Sequence, residues 1–219
     1  MDALIPTLAI WALPVLLAIT LHEAAHGYVA RHFGDPTAHL AGRITLNPLR
    51  HIDPVGTVLV PVGILALSTL MGGGGILFGW AKPVPVNFGR LRSPKADMLW
   101  VAAAGPFTNL LMALGWALLF RIAVSAEPGA YSLAMLKMAD AGIQINAVLM
   151  VLNLLPIPPL DGGRIAVSLL PDRFAWRFAR LEPYGFPILL VLLFTGILGA
   201  ILWPLIAGFR YLLSLVFGL

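Results

Sequence analysis

Leu21-His22-Glu23-Ala24-Ala25-His26-Gly27 is an H-E-x-x-H motif at the end of a nearly uncharged apolar run, and its reading governs the rest of the chain. Residues four apart share one face of a helix, so the imidazoles of His22 and His26 project side by side, about 6 Å apart. Two neutral imidazole nitrogens at that spacing grip one Zn²⁺, with Glu23 beside them as a general base. Ionisable groups at membrane depth mark functional sites by default, because hydrocarbon makes them costly. A catalytic zinc takes three protein ligands plus a water, so the third ligand has to come from elsewhere in the chain.

Composition sets the surroundings of that motif. Of 219 residues, 59% are hydrophobic and only 11% charged, with a mean hydropathy of +0.91. Soluble domains carry about 25% charged residues, so this is an integral membrane protein. The length fits one domain, residues 1–219, with a core over about 4–182 and C-terminal helices over 184–219. The expected fold is all-α and polytopic, a bundle of about 4–6 transmembrane helices with a re-entrant segment and short strands near the site. There is no cysteine, which excludes disulfides and thiolate zinc sites. The net charge of +4 is scattered between apolar segments, as topology determinants are, and gives no nucleic-acid surface. The first apolar segment has no basic region ahead of it and carries the metal motif, so it reads as a retained span. Nothing in the sequence speaks to oligomeric state.

In chain order, the first span covers residues 4–30, with Pro6 and Pro14 inside it. Arg31 and His32 mark its exit, and Gly34-Asp35-Pro36 is a turn. Arg43-Ile44-Thr45-Leu46 can form a short strand; His32, His39 and His51 read as surface or interfacial residues. Residues 54–81 carry no charge and are interrupted by Gly72-Gly73-Gly74-Gly75. That segment is either a simple span or one that enters and leaves on the same side. A span over 98–122 places Asn109 at membrane depth, as an interhelical hydrogen bond or a catalytic contact. Another span, 133–155, runs into Asn153-Leu154-Leu155-Pro156-Ile157-Pro158-Pro159-Leu160-Asp161-Gly162-Gly163, where three prolines stop a regular helix. Trp203-Pro204 can divide the last apolar run, 186–219, into a span and a shorter helix, and the sequence alone leaves open whether it does.

The third ligand follows by elimination among the acidic residues. Asp2 lies at the wrong end of its span. Asp35, Asp53, Asp97 and Asp172 lie in polar loops, and Asp140 has Lys137 within a few residues as a possible partner. Asp161 sits where an apolar segment breaks, beside two glycines that allow close backbone approach, and is the best candidate on chemistry alone.

Together, His22-Glu23-Ala24-Ala25-His26, Gly105-Pro106-Phe107-Thr108-Asn109 and the 153–163 stretch resemble the site-2 protease family of intramembrane zinc metalloproteases. Thr45-Leu46-Asn47-Pro48 and the 80–87 segment are similar to its short bacterial and archaeal members. The resemblance covers roughly residues 21–185. It implies His22, His26 and Asp161 as ligands to one Zn²⁺ per chain and Glu23 as catalytic base. It also puts Asn109 and Asn153 near the substrate or oxyanion. The substrates would be transmembrane proteins in the lipid bilayer, cut in regulated intramembrane proteolysis or remnant-peptide clearance. PDZ and CBS domains, common in relatives, have no room here. The alternative is a membrane metal-ion transporter or binding protein, for which a base between two ligands has no purpose.

Topology follows if the ligands must meet. The first span and the 133–155 span then run in the same direction, and only 98–122 reverses the chain between them. So 54–81 must return to its own side, turning near Gly72 to Gly75. Arg31, Arg43, Arg50, Lys82, Arg90, Arg92, Lys95 and the basic residues from Arg164 to Arg180 then share one side. The positive-inside rule makes that side of the cell membrane cytoplasmic, with the N-terminus external and the site nearer the cytoplasmic face.

Overall fold

The computed structural model describes residues 4–60, 63, 81–127 and 129–218. Among them are eight α-helices: α1 (Leu4–His32), a single turn α2 (Thr37–Leu40), α3 (Pro94–Ser125), α4 (Ala130–Asn153), α5 (Asp161–Leu169), α6 (Asp172–Ala179), α7 (Glu182–Phe194) and α8 (Ile197–Phe217). Four of these, α1, α3, α4 and α8, are long and apolar enough to cross a membrane. The shortest, α8, has 21 residues and is about 31 Å long, against a hydrocarbon layer of about 30 Å.

The core is built from small side chains. Ala18, Ala24 and Ala30 of α1, Ala102, Ala113 and Ala117 of α3, and Ala139, Ala141 and Ala147 of α4 are all buried. Leu8, Leu13, Leu111, Leu118 and Trp203 stay exposed. Lipid is as apolar as leucine, so helix association relies on close backbone approach, which alanine and glycine permit. The central helix is α3, which touches α1, α4, α5 and α8. It runs antiparallel to both main neighbours: His22 meets Asn109 while His26 meets Val101, and Asn109 meets Asn146 while Trp116 lies against Gly142. Helices α1 and α4 are therefore parallel. Helix α8 packs antiparallel on α4, with Ile206 against Ala147 and Val151 and Leu213 against Ile143. Arg210 of α8 pairs with Asp140 at 2.6 Å and reaches Gln144 at 3.1 Å, fixing the register of the two helices.

Residues 81–87 form no helix or strand and lie as a strap across the C-terminal end of α1. The Lys82 amide donates to His51 O at 2.9 Å, so the segment that leaves at residue 51 comes back to its starting point. Asp53 caps the first turn of that excursion, Pro54–Leu59, by accepting from the Val55 and Gly56 amides. The expected turn at Gly72 to Gly75 lies outside the described residues.

Three expectations are corrected. No strand forms among the described residues, and Arg43 to Leu46 is a bend. Arg43 Nη2 donates to Lys82 O at 2.6 Å, and Pro83 and Pro85 remove the N–H groups that a ladder with the strap requires. His51 is not superficial; it is 2% exposed, with Nε2 3.0 Å from Thr45 O. The last apolar run breaks at Gly196, in the left-handed region at φ 77°, while Pro204 is carried inside α8. Glycine adopts that conformation without strain, whereas a proline within a span is tolerated in a bundle.

Candidate metal centre

Helix α1 carries His22, Glu23 and His26 on its last third, and α3 packs onto that face at Gly105. A Cβ at position 105 would lie only 2.5 Å from both His22 Cε1 and His26 Nε2. The two imidazoles therefore sit directly on α3 backbone. Their rings meet edge-on, with centroids 4.8 Å apart.

What lies behind each ring fixes its proton. His26 Nδ1 is 2.7 Å from Val101 O, a carbonyl that only accepts, so Nδ1 carries the hydrogen. For His22 the assignment runs through two buried amides. Asn146 Nδ2 donates to Gly142 O at 2.8 Å, which turns Asn146 Oδ1 toward Asn109. Asn109 Nδ2 then donates to that oxygen at 2.9 Å and to Ala18 O at 3.4 Å. This leaves Asn109 Oδ1 to accept from His22 Nδ1 at 2.6 Å. In its neutral form each imidazole consequently presents a lone pair at Nε2.

Those two lone pairs converge. His22 Nε2 and His26 Nε2 lie 3.1 Å apart, and Asp161 Oδ2 lies 3.2 Å and 3.4 Å from them. Asp161 Oδ2 is buried with no hydrogen-bond partner. Three acceptors facing one another without a proton between them repel, and a buried carboxylate left unpaired costs several kcal/mol. A cation among them removes both penalties. At zinc–ligand distances of 2.0–2.2 Å, tetrahedral geometry separates ligand atoms by about 3.3 Å. The three observed separations match, so the residues present fit a zinc ion.

Asp161 reaches this point because the chain between α4 and α5 folds tightly. Residues 156–159 hold three prolines, and the turn closes against Gly162 and Gly163. A Cβ at Gly162 would be 2.3 Å from Leu155 O, and one at Gly163 would be 2.5 Å from Pro158 N. Only glycine lets the first turn of α5 lie back on the 154–158 turn, which aims Asp161 at the two histidines.

Glu23 is half-buried, and its Oε2 accepts from the Val84 amide of the strap at 2.8 Å. Asp35 anchors the far end of the strap: its Oδ2 accepts from the Asn87 amide at 2.6 Å, and its Oδ1 from the Thr37 amide and hydroxyl. Burial pushes the Asp35 carboxyl up, but these hydrogen bonds, helped by Arg90, outweigh it and hold the group below the ordinary carboxylate range.

The two asparagines suggested by resemblance both make hydrogen bonds within the helix bundle. Asn109 is fully buried behind His22, so of its two readings the interhelical bond is the one realised. Asn153 turns onto its own helix, with Nδ2 donating to Leu149 O at 3.0 Å. Sequence reasoning missed Asn146, although an amide deep in an apolar span was a usable signal. Removing the amide behind His22, in Asn109→Leu, should weaken zinc binding about 10–100-fold without loss of helix content. Competition with a fluorescent chelator measures this, and wild-type affinity in that variant would discard the orienting role.

Comparison with known proteins gives relatives over nearly the whole chain. The model of peptidase family M50 matches residues 120–196. YwhC of Bacillus subtilis, which bears a provisional zinc metalloprotease name, is 40% identical over 205 residues, covering 90% of this chain and 85% of that protein. Rip2 of Mycolicibacterium smegmatis, named in the same way, is 34% identical over 197 residues, covering 89% and 70%. Rip2 of Mycobacterium tuberculosis is 35% identical over 148 residues, covering 67% and 52%. No solved structure matches significantly.

Proposed function

The chain belongs to peptidase family M50, the site-2 protease family of zinc metalloproteases, and we propose that it cuts peptide bonds within or beside transmembrane segments of other membrane proteins. The four long apolar helices among the described residues make it a multi-pass membrane enzyme. One observation carries the finer reading: three buried ligand atoms, His22 Nε2, His26 Nε2 and Asp161 Oδ2, converge at tetrahedral spacing, the two histidines on a helix long enough to span a bilayer.

In this reading those three residues hold the zinc. When bound, zinc supplies Lewis-acid polarisation of a carbonyl oxygen and makes water more acidic. Glu23 does the proton work. It takes the proton of the attacking water and returns it to the amine nitrogen of the leaving peptide. Asn109 and Asn146 on one side, and Val101 O on the other, keep both imidazoles in the tautomer that presents Nε2. The substrate helix must unwind locally, because a helical carbonyl is already engaged by an amide four residues on.

The basic residues at the C-terminal end of α1 and around the N-terminal end of α3 support a cytoplasmic position for the strap side, with the N-terminus external. The bond between Lys82 and His51 supports a same-side return of residues 54–81. The chain has no cysteine, so single cysteines at Arg50, Arg92 and Glu127 can be labelled with an impermeant thiol reagent. Positions 50 and 92 should react from one side and 127 from the other; labelling of 50 and 92 from opposite sides would sink the hairpin. The functional test uses purified enzyme in bilayers with a single-span reporter. Mass spectrometry should locate the cut inside or at the edge of the span, and chelation should abolish cleavage that zinc restores. Cuts confined to the reporter's soluble loops would overturn the proposal.

A further inference from the structure

The strap touches the catalytic helix at one hydrogen bond, and its sequence isolates that bond. In Pro83-Val84-Pro85, the two prolines have no N–H, so Val84 owns the only amide hydrogen in three residues. That hydrogen goes to Glu23 Oε2 at 2.8 Å. Among the described residues, no hydrogen bond is made by the other carboxylate oxygen, Oε1.

The strap is also held where it must be to make this contact. Lys82 N donates to His51 O at 2.9 Å, and Asn87 N donates to Asp35 Oδ2 at 2.6 Å. Arg43 Nη2 holds Lys82 O from the side. His51, Arg43 and Asp35 are all buried, as is Val84, whose side chain lies over Gly27 of α1. Four fastenings, none of them a sheet ladder, fix one backbone amide over one carboxylate.

We propose that the Val84 amide is a positioning group for Glu23, committing Oε2 to the strap and reserving Oε1 for the proton. This rests on the proposed role of Glu23 as base. A glutamate side chain has three rotatable bonds, and a base displaced by about 1 Å can lose about 10²-fold in rate. A bond to a pinned backbone amide fixes the terminal torsion without adding a second titrating group. The prolines fit the same purpose: they keep the segment extended and leave no neighbouring amide to compete for the carboxylate.

The test replaces Val84 by its α-hydroxy acid in the full-length enzyme, which turns the amide into an ester and removes the hydrogen with little change in shape. Cleavage of the transmembrane reporter should show kcat down roughly 10–100-fold, KM within about threefold, and zinc content unchanged. Val84→Pro, a second route to the same loss, should behave alike. Wild-type kcat in the ester variant, a change confined to KM, or loss of zinc would each overturn the proposal. Glu23→Gln in parallel separates the failures. If that variant stays active, the role of Glu23 itself is wrong. If it is inactive while the ester variant is normal, only the positioning role falls.

Discussion

Glu23→Gln is expected to yield a folded, zinc-loaded protein that cleaves about 10²–10⁴-fold more slowly than wild type. Glutamine matches glutamate in shape, and its amide oxygen can still accept from the Val84 N–H, so the strap keeps its anchor on α1. None of the three converging donors is altered. What disappears is a group able to take a proton at neutral pH. Turnover of a transmembrane reporter, with zinc measured by elemental analysis on the same sample, checks both halves. A purified variant that cleaves at the wild-type rate would place the base elsewhere.

Asp161→Ala should give the opposite metal signature. It removes one of three protein ligands, and the only anionic one, leaving two imidazoles to hold the ion. Zinc should fall well below one ion per chain, and activity should fall with it. The helices should persist, because α5 is seated by its packing on α3 and by Gly162 and Gly163 against the 154–158 turn. Full zinc content in that variant would remove Asp161 from the centre. Loss of activity with zinc retained in one variant, and loss of both in the other, separates a base from a ligand.

Most of this centre was legible because its chemistry is concentrated in side chains that apolar spans otherwise exclude. His22, Glu23 and His26 stand out against their surroundings, and Asp161 emerges once every other acid has a reason to be elsewhere. The parallel course of α1 and α4 follows from requiring those residues to meet. The supports were harder to read. Val101 O and the Val84 amide are backbone groups, and every residue carries them, so no residue type announces their use. Asn109 was visible, but nothing in a sequence tells a group that touches substrate from one that stands behind a ligand. The bend at Arg43 to Leu46 escaped because its residues suit a strand, while the prolines that prevent pairing lie forty positions on. The break at Gly196 rather than at Trp203-Pro204 shows the same dependence on context: a proline is a strong breaker in water and a weak one among packed spans.

Gly105 has a consequence for reading other genomes. Its missing side chain is the floor of the centre, since a single methyl there would overlap both imidazoles. The demand is therefore as strict as the demand for the ligands, yet it is imposed from another helix by packing alone. A family member that has abandoned catalysis no longer needs either, and drift at the position equivalent to 105 should accompany loss of the metal-binding residues. A glycine there is thus a diagnostic character, able to sort working enzymes from pseudoenzymes in unannotated sequences.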